Sequence, residues 1–319
     1  MATNRTGLCP LPQEEPAYYT HILGVTVDWI IVVVGLPGII TAIYALQGLV
    51  RADHVAPVFV INLLVSDLFQ IAITVVFILS RFFDRMQPVF LTLRCISRIV
   101  VRLGITASLC FMVCISAERY LTVAHPIWYR YRRTVKCSVV ISSGVWGACA
   151  LYALLDFAVV HDQKESLKVF SVLLLLPALP LTVFCSLTHK ALQHCRSIQQ
   201  NESRRIMGAL GLVLGIYAVL FLPFCIRNLY FILAAGSEHS TLEDTSLVVT
   251  SALVYLSPLA DPFLYIFMRR DMRNALDILL SCRGLLRHMV NNGEARSEDK
   301  SQQTAEMSAT HIQDTEQSL

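Results

Sequence analysis

Seven long apolar segments divide this chain, at about residues 22–50, 55–80, 91–124, 137–158, 167–189, 205–235 and 245–268. Each reaches the roughly 20 mostly apolar residues that a helix needs to cross a bilayer. Hydrocarbon offers backbone groups no partner, so a spanning segment is either a helix or part of a closed barrel. The period-two alternation of lipid-facing barrel strands is absent, so the spans read as helices. Composition agrees: of 319 residues, 55% are hydrophobic and 15% charged, against about 25% charged in a soluble domain. The shortage of charge excludes a soluble enzyme, a disordered protein and a nucleic-acid binder. A net charge of +3 also leaves no strongly basic surface for phosphates. No internal repeat of the transporter kind is visible. The fold class expected is an all-α membrane protein, a seven-transmembrane helix bundle.

Basic residues orient the bundle. Arg51, Arg130, Arg132, Arg133, Lys136, Lys190, Arg196, Arg204, Arg205, Arg269, Arg270 and Arg273 fall on one side. Arg5, Arg81, Arg85, Arg94, Lys164 and Lys168 fall on the other. The richer side is cytoplasmic, which places the N-terminus outside and the C-terminus inside a plasma membrane. Residues 1–21 form an extracellular N-terminus without the basic start and apolar run of a cleavable signal. Asn4-Arg5-Thr6 is a glycosylation sequon on the outer face. The helical domain covers 22–268. After it, Met268, Met272, Leu276, Leu279 and Leu280 recur at helical spacing, which predicts an amphipathic helix on the inner leaflet within 269–287. Cys282 closes it as a palmitoylation candidate. The polar stretch 288–319 reads as a disordered cytoplasmic tail.

Three constellations carry chemistry. Asp67 lies mid-membrane within Asn62-Leu63-Leu64-Val65-Ser66-Asp67, where an ionised carboxylate costs several kcal/mol. The third span ends Glu118-Arg119-Tyr120, followed by His125-Pro126. The seventh ends Asp261-Pro262-Phe263-Leu264-Tyr265. In this order on these spans, with Trp146 in the fourth and Pro223 in the sixth, the chain resembles the rhodopsin-like G-protein-coupled receptors over about residues 22–282. Leu36-Pro37-Gly38, Cys114-Ile115-Ser116 and the Asp-Pro of the seventh span look most like the branch of purinergic, proton-sensing and lipid receptors.

The resemblance implies roles. Arg119 is the switch, held by Glu118 at rest and released toward a heterotrimeric G protein. Asp67, Ser108, Ser257 and Asp261 line a sodium-binding cavity, the one cofactor-like element expected; a buried carboxylate pair shares a cation or proton more cheaply than it holds two bare charges. Tyr265 swings inward on activation, and Phe221 and Tyr217, ahead of Pro223, form a rotamer trigger below the ligand. Receptor kinases and arrestin would meet tail hydroxyls such as Ser297 and Ser301. Arg132, Arg133, Arg204 and Arg205 would meet either the G protein or membrane lipid headgroups.

Departures from the family pattern are equally informative. Ile39 stands where the family has an asparagine, so the polar cluster around Asp67 lacks a member. The tyrosine of the fifth span has no counterpart; the candidate positions hold Cys185 and Thr188. Ser203 stands where some members carry an acid, with Glu202 beside it. Cys95 resembles the family cysteine atop the third span, but the second extracellular loop, about 159–166, contains no cysteine. A Cys9–Cys95 bridge on the oxidising side is the expectation, with two unpaired cysteines the alternative.

The outer part of the third span carries Arg94, Arg98 and Arg102, whose spacing of four puts them on one helix face. Arg227 lies in the sixth span. Guanidinium groups bind carboxylate and phosphate in bidentate fashion, so Arg98, Arg102 and Arg227 read as an anion pocket for a lipid phosphate, fatty acid or nucleotide. The plainer alternative is internal neutralisation by Asp28 or Asp156. The seventh span has no lysine for retinal, and Val101 stands where amine receptors place an aspartate. Proton sensing through His21, His161 and His239 is a further reading, as is a non-signalling relative that scavenges a partner. No nucleophile–base motif, metal-ligand spacing or glycine-rich phosphate loop marks an enzyme.

Overall fold

The structure is a computed structural model that describes residues 18–51, 58–82, 87–132, 135–160, 163–194, 200–233 and 241–268. Within these, side chains such as Arg94, Cys95, Glu202 and Tyr265 lie outside the described set. So do residues 1–17 and 269–319, and with them Asn4, Cys9, Cys282 and the expected amphipathic helix. The described residues all fall within one unit, Met1–Met268.

Every described element is helical. The first span is α1 (Tyr18–Ile30), a π-helical turn (Ile31–Gly35) and α2 (Leu36–Arg51). The second is α3 (Val58–Phe82) and the third α4 (Gln87–Ala124). A short α5 (Pro126–Arg132) follows, then α6 (Val135–Val159) as the fourth span. The fifth is α7 (Gln163–Leu175) with α8 (Ala178–His194). The sixth is α9 (Gln200–Ile216), a second π turn (Tyr217–Phe221) and α10 (Leu222–Leu233). The seventh is α11 (Thr241–Tyr255) with α12 (Ser257–Met268).

Prolines explain where these helices are interrupted. A proline inside a helix donates no hydrogen bond, and its ring crowds the carbonyl four residues back. The two π turns end at Gly35 and Phe221, each two residues before a proline, Pro37 and Pro223. A wider turn there relieves the crowding. Pro177 splits the fifth span, where Leu176 N–H turns back to the Leu173 carbonyl at 3.2 Å. Pro258 opens α12, in the first turn where a missing donor costs nothing.

Among the described residues, six stretches are long and apolar enough to cross a membrane: Ile22–Ile43, Val58–Leu79, Ile96–Ala124, Val135–Val159, Glu165–Gln193 and Ile206–Leu233. The seventh segment expected from sequence differs. It breaks at Leu256, whose N–H reaches the Ala252 and Leu253 carbonyls at 3.2 and 3.1 Å. Both halves still pack in the bundle, α11 on α1 and α10, α12 on α2, α3 and α9.

The third span is the hub. Helix α4 packs against α3, α6, α8 and α9, and its Ile105, Ala107, Leu109, Phe111, Met112 and Ile115 are buried. Outward faces carry exposed Val33, Val34, Ile40, Leu151, Leu154, Leu176 and Leu179. An apolar exterior around a core holding Asp67, Ser108 and Asp261 is the arrangement hydrocarbon favours.

Helix α4 comes close to α3 at Gly104. A Cβ there would meet Gln70 Cγ at 2.8 Å and the Ser66 carbonyl at 3.2 Å, whereas Gly144 has nothing within 4 Å. Gly104→Ala should therefore destabilise the protein by about 1–3 kcal/mol despite alanine's better helix propensity. Gly144→Ala should leave the melting temperature in detergent unchanged or raise it. Equal effects of the two substitutions would show that α3 and α4 are not in close contact there.

Candidate functional site

The polar cluster forms where α3, α4 and α12 meet. Asp67, Ser108 and Ser257 are fully buried and Asp261 nearly so. Ser108 donates to Asp261 Oδ2 at 3.1 Å, and Ser257 donates to Gln70 Oε1 at 3.4 Å. Both Asp67 oxygens, Asp261 Oδ1 and Gln70 Nε2 have no hydrogen-bond partner. Two carboxylates with unpartnered oxygens, beside hydroxyl and amide groups, form an all-oxygen donor set that fits a small hard cation. A sodium ion there would offset one of the two carboxylate charges; among the described residues no group of three or more His, Cys, Asp or Glu side chains occurs. Gln70 escaped the sequence reading, although its place three residues after Asp67 in an apolar span was the available signal. Ile39 is buried in the core, as its side chain demands.

At the cytoplasmic end of α4, Glu118 is buried and accepts a hydrogen bond from the Tyr129 hydroxyl of α5 at 2.6 Å. Tyr129 was not anticipated. It sits in the short helix that Pro126 starts, and only the fold brings it back to Glu118. Tyr120 packs edge-on to His125 and against Phe184 of α8, with ring centroids 6.2 and 6.0 Å apart. Phe184 thus supplies an aromatic contact on the span that lacks the family tyrosine. Trp146 donates to Asn62 Oδ1 at 2.8 Å, and Asn62 donates to Ser142 at 3.3 Å, tying α3 to α6.

Tyr217 and Phe221 bound the second π turn and stack with centroids 6.1 Å apart. The Tyr217 hydroxyl donates to the Leu174 carbonyl at 2.9 Å. That carbonyl lies in the last turn of α7, just before the break at Pro177. The sixth span is thereby tied to the broken backbone of the fifth. Pro223 follows within α10, and Pro262 lies inside α12 next to Asp261.

On the outer half, two of the three arginines come together. Arg102 Nη1 lies 2.7 Å from Asp156 Oδ2 of α6, with the two side chains 10% and 1% exposed. It also donates to the Ser166 carbonyl at 3.3 Å and lies over Phe170, 4.9 Å from the ring centroid. Arg98 donates to the Ser166 hydroxyl at 2.8 Å, and that hydroxyl donates to Asp156. Internal neutralisation by Asp156, the plainer of the two sequence alternatives, therefore describes Arg102. Ser166 fastens both arginines beside the cysteine-free loop; nothing in its sequence context marked it.

Arg227 is held differently. It contacts Ser246 of α11 at 3.2 Å, donates to Asn228 Oδ1 at 2.8 Å, and lies over Phe231, 4.4 Å from the centroid. That bond turns the Asn228 oxygen toward Arg227 and leaves its Nδ2, buried, without a partner. Phe170 meets Phe224 with centroids 6.1 Å apart, and Phe224 lies one turn below Asn228. Aromatic contacts therefore run from Arg102 across α7 to α10.

Two expectations follow. Arg102→Met or Asp156→Leu alone leaves a buried charge unpaired and should cost about 3–5 kcal/mol, while the double variant recovers most of it. Melting temperature and surface expression report this; a double variant as unstable as the sum of the singles would deny the pair. Replacing choline with sodium at constant ionic strength should raise the melting temperature by roughly 2–5 °C, an effect lost in Asp67→Asn. Identical melting curves in both salts would show that the cluster holds no sodium.

Comparison with known proteins adds independent findings. The family model described as 7 transmembrane receptor (rhodopsin family) matches residues 38–265. The mouse neuropeptides B/W receptor type 1 is 28% identical over 313 residues, covering 88% of this chain and 92% of that receptor. The human and chimpanzee melanocortin receptor 5 are each 23% identical over 216 residues, covering 65% of this chain and 64% of theirs.

Proposed function

Because this chain belongs to the rhodopsin family of seven-transmembrane receptors, we propose that it answers an extracellular peptide that presents a carboxylate to Arg98. The chain is a multi-pass membrane receptor, not an enzyme, and the family acts through heterotrimeric G proteins. The plasma membrane, with the N-terminus outside, is the location consistent with the basic residues of its loops.

One observation carries the ligand reading. Asp156 neutralises Arg102, while Arg98 donates to a neutral hydroxyl, so the pair of arginines keeps one positive charge beyond its internal counter-ion. A half-buried guanidinium in that position favours an acidic ligand group. The unpartnered Nδ2 of Asn228 offers a second donor, suited to a peptide carbonyl. The neuropeptide relative supports a peptide over the lipid phosphate, fatty acid or nucleotide first considered. Arg227 serves here to orient Asn228 rather than to meet the ligand's charge.

Glu118-Arg119-Tyr120 and Asp261-Pro262 with Tyr265 transmit the signal in this reading. The polar cluster of Asp67, Ser108, Ser257 and Asp261 sets the resting state. Arrestin and receptor kinases would engage the cytoplasmic tail.

The test uses synthetic peptides in matched pairs, with carboxylates free or blocked as amides, on cells reporting G-protein activation. Free acids should act at lower concentration on wild type. Arg98→Gln should lose at least tenfold in potency, about 1.4 kcal/mol, at equal surface expression. Arg119→Ala should abolish activation altogether. Equal potency of acid and amide, or activation by lipid phosphates but no peptide, would overturn the proposal.

A further inference from the structure

The fourth span presents small side chains to the third. Buried on α6 are Ser138, Ser142, Cys149, Ala153 and Asp156, spaced as one helix face. Small faces let transmembrane helices approach closely. Facing them, α4 offers Ala107, fully buried, and a ladder one turn apart, Thr106, Cys110 and Cys114. At the centre of this contact Cys149 Sγ lies 4.0 Å from Cys110 Sγ. Both thiols are free; Cys149 is buried and Cys110 half-buried.

We propose that Cys110 and Cys149 form a redox-responsive clamp between the third and fourth spans, closed by a hydroperoxide. The two sulfurs are near van der Waals contact and must close by about 2 Å to reach disulfide length, a shift within reach of side-chain rotation. The chemistry balances. One thiol sulfur attacks the peroxide; the O–O bond breaks, a sulfenic acid forms, and water or an alcohol departs. The second thiol then displaces the sulfenic oxygen, the S–S bond forms, and a water leaves with the two thiol protons accounted for. Two electrons pass from the sulfur pair to the peroxide. Hydrogen peroxide and a lipid hydroperoxide share this chemistry. Exposed Leu151, Leu154 and Leu155 on the far side of α6 mark the lipid-facing side of the same helix.

The consequence is mechanical. The two helices are already joined above this point by Arg102 and Asp156. A covalent bond at Cys110 would fix a second point between them, two residues after Ser108. Helix α4 could then neither rotate nor slide against α6. This inference is independent of the ligand proposal and uses none of its residues as a site.

The experiment uses the full chain in cell membranes treated with hydrogen peroxide in one arm and cumene hydroperoxide in the other. Free thiols are then alkylated, and peptides are mapped without reduction. The expected product is a bridged Cys110–Cys149 peptide in at least one arm, reversed by dithiothreitol, with Cys114, Cys185 and Cys225 still alkylated. The bridged receptor should melt higher by roughly 5 °C, and Cys149→Ser should show no such shift. A signal in the hydrogen peroxide arm alone names the aqueous oxidant, and one in the cumene arm alone the lipid-phase oxidant. Both thiols alkylated in both arms, a bridge to Cys114 instead, or a bridge without a melting shift would each overturn the clamp.

Discussion

Hydrocarbon supplies no hydrogen-bond partner, and that constraint accounts for most of what is distinctive in this molecule. Each polar atom inside the bundle must be met by another part of the chain. Hydroxyls such as Thr106, Ser116 and Thr188 turn back to carbonyls of their own helices. Arg102 finds Asp156, and Trp146 finds Asn62. Where partners are missing, as at Asp67 and Asp261, the fold holds groups whose comfort depends on an ion or proton from elsewhere. Function concentrates at such places because they change state with what they bind.

The helical class and the positions of the spans were legible because apolar length is a one-dimensional property. The interruption at Leu256 was less so. It depends on Pro258 and on which carbonyls remain reachable, and an apolar stretch looks the same whether straight or broken. The burial of Asp67, Ser108, Ser257 and Asp261 together could be foreseen from motif resemblance. The membership of Gln70 is written only in its helical phase, three residues after Asp67.

The arginines show where sequence reading stops. Spacing placed Arg98 and Arg102 on one face, and both an anion pocket and an internal counter-ion remained open. Charge pairing across helices is decided by distances between segments far apart in sequence, here α4, α6 and α7. Ser166 is the clearest case: an ordinary serine becomes the point where two arginines and an aspartate meet. Tyr129 likewise gains its role only because α5 folds back on Glu118. Such residues have chemistry but no pattern.

The bond from Tyr217 to the Leu174 carbonyl joins a side chain to a main chain, and this makes its inheritance one-sided. Any residue at position 174 supplies the same oxygen, so drift there leaves the acceptor intact. The donor rests on a single codon, and a change from tyrosine to phenylalanine removes it while preserving the ring. Lineages can therefore tune the contact between the fifth and sixth spans through one atom, with no compensating change on the other side.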